Sequence, residues 1–228
     1  MNIEETMFKK SVIDFSKLIQ YGFIKENNYY LYSKKILNDS FIVNIKIDCV
    51  GYIKGNVIDL NTHEEYTNFR INNLNGQFVN SVREEYTNIL FDIKQQCFKE
   101  KYFITNQANR ITNLIINRYG EFPKFVWQKF PGYGIFKNST NDKWYGLIMN
   151  INKHKLNIKA SNEEIEILNV KLNEAKISKL LTMQGFYKAY HMNKRNWITI
   201  ILDDTLTDKE ILNYIIESHQ YSEKVKIK

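Results

Sequence analysis

A chain of 228 residues with 43% hydrophobic and 25% charged residues is long enough for one or two domains with a sizeable core, and its composition is that of a folded globular protein. Its apolar runs fall far short of the roughly 20 residues that a membrane helix needs. The acidic start, Met1-Asn2-Ile3-Glu4-Glu5, has neither the basic nor the apolar region of a signal peptide, so the expected compartment is the cytoplasm. The net charge of +7 is uneven: residues 1–120 carry 15 Lys/Arg against 13 Asp/Glu, and residues 121–228 carry 17 against 12. A basic second half permits an anionic partner, although the abundance of Lys, Asn, Ile and Tyr also fits AT-rich coding.

In chain order, apolar residues Phe8, Val12, Phe15, Leu18 and Ile19 recur at helical spacing and predict one helix over about 4–20, with Gly22 just past its end. Residues 29–35 read as a strand. Residues 41–49 alternate apolar and polar, which predicts a half-buried antiparallel strand, and residues 52–60 return after Gly51. Phe78, Val82, Tyr86, Ile89, Ile93 and Cys97 form the stripe of a long helix over about 76–98. A third helix over about 106–119 buries Ile111, Leu114 and Ile115 and stops at Gly120. Cys49 and Cys97 lack metal-site spacing and are expected in the core.

Both prolines, Pro123 and Pro131, follow the third helix. The long stripe ending at Cys97 and this proline pair divide the chain into domains 1–103 and 104–228, with the third helix in the second. There, residues 133–137 and 143–151 read as strands, the latter with faces Trp144/Gly146/Ile148 and Tyr145/Leu147/Met149. Residues 156–159 pair back, and 165–172 form a further strand. A helix covers about 174–183, a strand 197–202, and a last helix follows the Thr207-x-x-Glu210 capping box. Tyr21-Gly22-Phe23 and Tyr133-Gly134-Ile135 hold matching places in the two halves, which raises a degenerate duplication.

The richest stretch for function is Gly185 to Trp197, with four aromatics, a histidine and three cations. Rings stack on bases and cations neutralise phosphates, so the pattern suits nucleic acid. It equally suits core anchoring by Tyr190, Met192 and Trp197 with solvated Lys194 and Arg195. No phosphate loop, nucleophile elbow or HExxH helix is present. His191 is the histidine best placed for acid–base chemistry, but it needs a partner that the sequence does not identify. His154, in Lys153-His154-Lys155, reads as solvated.

The run Ala189-Tyr190-His191-Met192-Asn193-Lys194-Arg195-Asn196-Trp197 resembles the signature of the MmcQ/YjbR family. Phe130-Pro131-Gly132-Tyr133-Gly134, Lys143-Trp144-Tyr145-Gly146 and Val170-Lys171-Leu172 fit the same family in order. The resemblance spans about 121–221. Lys188, Asn196 and His219 depart from the family pattern. The resemblance implies a CyaY-like (frataxin-like) α+β domain, an antiparallel sheet with helices on one face, and DNA as partner. Iron is not expected, because the first helix offers only Glu4, Glu5 and Asp14 as hard oxygen ligands. The expectation is therefore a two-domain α+β protein without catalysis, metal or cofactor. DNA would be contacted by Lys188, Tyr190, His191, Asn193, Lys194, Arg195 and Trp144. The alternative is a protein- or small-ligand-binding module in which the same aromatics wall a pocket.

Overall fold

The computed structural model describes residues 2–158 and 163–223. The chain divides into two compact units, Met1–Lys101 and Tyr102–Lys228.

In the first unit the single helix expected over 4–20 is broken in two. Helix α1, Ile3–Phe8, is capped by the Asn2 side chain, which accepts from Glu5 N. Strand β1, Ser11–Ile13, then interrupts it, and helix α2, Phe15–Tyr21, follows. The interruption has a tertiary cause: β1 pairs antiparallel with β6, Phe98–Glu100, at the end of the unit. The apolar spacing was real but served two elements, and Val12 and Ile19 remain exposed while Leu18 is buried. Gly22 closes α2 at φ 116°, donating to the Leu18 and Ile19 carbonyls.

A four-stranded antiparallel meander comes next: β2 Ile24–Glu26, β3 Tyr29–Ile36, β4 Phe41–Asp48 and β5 Ile53–Asp59. The alternation of β4 buries Phe41, Val43, Ile45 and Ile47 against helix α3, Gln77–Cys97, through Val82, Tyr86, Ile89 and Ile93. Two residues of these stripes depart from expectation. Phe78, in the first turn of α3, is half exposed, and Cys49 sits in the exposed turn after β4 rather than in the core. Cys97 is buried. The unit's polar centre is Glu4, which takes both Arg70 Nη1 (2.9 Å) and Nη2 (2.7 Å) and accepts from Gly55 N and the Tyr86 hydroxyl.

The second unit opens with helix α4, Asn106–Tyr119. Buried Glu166 accepts from Ile104 N, Thr105 N and the Thr105 hydroxyl, placing a carboxylate at the helix start. Strands β7 Gly134–Lys137, β8 Trp144–Asn152 and β9 Glu164–Lys171 lead to helix α5, Glu174–Leu180. Strands β10 Phe186–Lys188 and β11 Trp197–Ile201 and helix α6, Asp208–Glu223, complete it. The sheet runs β10-β11-β9-β8-β7, antiparallel throughout. The Thr207–Glu210 capping box forms in both directions. Residues 153–156, expected to begin a strand at Leu156, form a 3-10 turn closed by Asn157 at φ 59°, and Lys159 lies outside the described residues.

The two faces of this sheet are covered differently. One carries Ile148, Leu168, Val170, Ile198 and Ile200 against α4, α5 and α6. The other carries Leu147, Met149, Ile167 and Ile201 and is covered by half-buried side chains, among them Trp127, Tyr133, Trp144, Tyr187, Tyr190 and Met192.

Candidate nucleic-acid interface

The aromatic–basic stretch lies over that second face. Gly185, at φ 88°, turns the chain into β10, a strand that the sequence reading did not include. A Cβ there would lie 3.1 Å from Leu206. Strand β10 pairs with β11, setting Tyr187 opposite Thr199 and Lys188 opposite Ile198.

The loop between these strands is pinned from below. Thr199 and Asn169 are fully buried register partners on β11 and β9. The Thr199 hydroxyl donates to Asn169 Oδ1 and accepts from Tyr190 N at 3.0 Å, while Asn169 Nδ2 donates to the Tyr190 carbonyl at 3.0 Å. Both backbone groups of Tyr190 are thus held by the sheet. His191 follows in the left-handed region, φ 57°, with its ring 4.1 Å from that of Tyr190. Asn193 then closes a turn: its carbonyl accepts from Asn196 N and Trp197 N, and its side chain accepts from Arg195 N at 3.0 Å. Trp197 is buried, 8% exposed.

Between this loop, β10 and the 3-10 turn Lys153–Leu156 lies a cleft of about 450 Å³. Of the residues expected to contact DNA, Lys188, Tyr190, His191 and Lys194 line it. They are joined by Lys155 and Tyr187, and Leu156, Leu181 and Phe186 give it an apolar lining. No carboxylate belongs to the described lining, and none of the described residues forms an ion pair with Lys155, Lys188 or Lys194. Tyr190 stands close enough to Tyr133 that burial first, and the neighbouring Tyr190 hydroxyl second, push Tyr133 above its ordinary value.

Three expected residues fall elsewhere. Asn193 spends its side chain on the turn. Arg195 is exposed beside the cleft without lining it. Trp144 is half buried, edge-on to Trp127 with ring centroids 5.8 Å apart. The sequence placed Trp144 on one face with Gly146 and Ile148, but the register slips between Phe136 and Lys137: Gly146 faces Phe136, and Trp144 faces Lys137. Tyr145 is therefore the extra residue of a β-bulge, which moves Trp144 to the face of Leu147 and Met149 and sends Tyr145 to the helical side.

Lys155 and Tyr187 were missed for different reasons. Lys155 sits in a basic turn that looked like ordinary solvated surface, and only the topology brings it beside residues more than thirty positions later. Tyr187 was inside the stretch, but its place in the cleft depends on β10, too short to show a period. His219, one of the departures from the family pattern, is buried and does not belong to the cleft's lining. It stacks on Tyr119 at 3.9 Å and 4°, with Nε2 3.4 Å from Glu121 and Nδ1 3.2 Å from Glu223. Its ring occupies a core slot.

Comparison with known proteins bears on the same region. A family model described as YjbR matches residues 119–221. The chain is 39% identical over 101 residues to a Bacillus subtilis (strain 168) protein named "Uncharacterized protein YyaQ", covering 44% of this chain and 85% of that one. Among solved structures, a crystal structure of a Pseudomonas syringae protein aligns at 35% identity and a TM-score of 0.49, over 52% of this chain and 99% of that one. A Deinococcus radiodurans protein aligns at 16% identity and a TM-score of 0.38, over 53% and 79%.

Proposed function

Because the chain belongs to the YjbR family, we propose that it is a DNA-binding protein that works without catalysis, with its contact in the cleft of the second unit. The observation that carries the reading is the convergence of Lys155, Lys188 and Lys194 with His191 and two tyrosines on one concavity whose described lining holds no carboxylate. Such a lining attracts an anion by charge and offers rings for stacking. The sheet with helices on one face also fits the CyaY-like architecture that the family resemblance implies.

Three phosphates neutralised by the three lysines correspond to a log–log salt slope of about −2.7, at roughly −0.9 per phosphate on a duplex. The test is a titration of labelled DNA at several salt concentrations, with wild type and the Lys188→Ala/Lys194→Ala variant. The variant should lower the slope by about two, since each lost phosphate contact removes roughly one. Absence of binding at low salt would end the DNA reading. Equal binding by both proteins would move the contact away from this cleft.

The apolar lining formed by Leu156, Leu181 and Phe186 favours a second reading, a small-ligand site with aromatic walls. Its binding would respond little to salt.

A further inference from the structure

We infer that the cleft receives an unstacked nucleotide of single-stranded DNA rather than the backbone of a duplex; this rests on the nucleic-acid reading above. A concavity of about 450 Å³ is of the size that holds a small molecule. A duplex presents phosphates along a convex surface and keeps its bases in the stack. A base can enter a pocket only from a single strand or after being flipped out.

The lining adds a chemical argument. Lys155, Lys188 and Lys194 answer a phosphate, but Leu156 does not, nor do the edges of Leu181 and Phe186, which reach the cleft from the helical-side cluster. A duplex backbone brings only its sugar edges to meet them, whereas an unstacked base brings two faces. Cations around a ring-lined, apolar site are the combination by which single strands are held without sequence preference.

The rings are also prepared for stacking. Tyr187 and Tyr190 each pack against the Ile/Met cluster of the sheet, so each is supported from beneath. Tyr190 is further fixed through both backbone groups by Asn169 and Thr199, and the His191 ring lies 4.1 Å from it. Side chains already ordered lose little freedom on binding, which is how a small contact set reaches useful affinity.

The experiment compares a 12-nucleotide single-stranded pyrimidine oligonucleotide with a hairpin duplex by fluorescence anisotropy in low salt, using the 228-residue chain. Thymidine monophosphate serves as competitor. The single strand should bind at least about tenfold tighter than the hairpin, and the mononucleotide should compete. Base–aromatic stacking is worth roughly 1–3 kcal/mol per base, so Tyr187→Leu, which keeps apolar packing on the sheet, should weaken the single strand about five- to 150-fold. Tryptophan fluorescence melts check that this variant is folded, and His191→Ala, at an exposed position, provides an independent variant with the same expected direction. If the hairpin binds as tightly as the single strand, the inference is overturned while DNA binding stands. A preference for the single strand that neither variant reduces overturns it too, because the seat is then elsewhere. Failure of all three probes to bind removes both readings.

Discussion

The loop over the sheet stands or falls with one hydroxyl. Thr199 is fully buried and serves two partners at once, accepting from Tyr190 N and donating to Asn169 Oδ1. Thr199→Val replaces the hydroxyl by a methyl of the same shape. Each partner is then left without its bond in a dry site, at roughly 1–3 kcal/mol apiece, and the added methyl recovers a part, so the net loss should be about 2–4 kcal/mol. All three tryptophans, Trp127, Trp144 and Trp197, lie in the second unit, so tryptophan fluorescence reports its unfolding alone. With a urea m-value of about 2 kcal/mol/M, the midpoint should fall by about 1–2 M. Amide exchange at Tyr190 should quicken beyond what the global loss explains, while Thr199→Ser should keep both properties near wild type. A valine variant within 0.5 kcal/mol of wild type, with Tyr190 exchange unchanged, would refute the claim that this pair holds the loop.

In the first unit, a Cβ on Gly55 would lie 2.1 Å from the Tyr86 hydroxyl and 2.7 Å from Ile45 Cδ1. Gly55→Ala should therefore destabilise that unit by at least about 1–3 kcal/mol, with partial recovery in the Tyr86→Phe background, measured by amide exchange of α3. Burial opposes the Glu4 charge, but hydrogen bonds from Arg70 and Tyr86 outweigh it and hold the carboxyl below its ordinary value of 4.5. A lowered folded-state value contributes stability that is present above pH 4.5 and is lost as pH falls through the folded value. Glu4→Gln should flatten the first unit's stability profile below pH 4.5 in near-ultraviolet circular dichroism melts. Burial pushes the Cys97 thiol up to about 11, whereas Cys49 is exposed. A thiol reagent at pH 8 should thus modify one cysteine in the native chain and both after denaturation, and two fast-reacting thiols in the native chain would contradict the placement of Cys97.

What the sequence disclosed followed the strength of its periodicity. The long stripe ending at Cys97 and the alternation from Phe41 to Ile47 each serve one element, and both appear as expected. The stripe from Phe8 to Ile19 failed because spacing cannot show that Ser11–Ile13 finds a strand partner almost ninety residues away. The bulge at Tyr145 was hidden for the same reason: an alternating strand looks regular until its neighbour's register is known. Of the cleft lining, the sequence grouped Lys188, Tyr190, His191 and Lys194 because they fall within seven residues of one stretch. It could not bring Lys155 beside them, and it could not show that Asn193 closes a turn through its side-chain oxygen.

The division of labour between the two sheet faces explains where such a site can form. On the helical side, α4, α5 and α6 fill the space over Ile148, Leu168 and Ile198 with side chains in close contact. On the other side, short turns and the connection from β10 to β11 must cover Leu147, Met149 and Ile167, and half-buried aromatics help to do so. A half-buried ring keeps part of its surface toward solvent. Coverage of this kind leaves stacking surfaces as a by-product, and the bulge at Tyr145 adds Trp144 to it. Cations from the same region, Lys155 from the 3-10 turn, Lys188 from the end of β10 and Lys194 from the loop after it, then stand around those surfaces without a carboxylate in the described lining to neutralise them. Leu156, Tyr187 and Tyr190, which help close the core on this face, also line the cleft, joined by Leu181 and Phe186 from the helical side, so substitutions there need stability and affinity measured side by side.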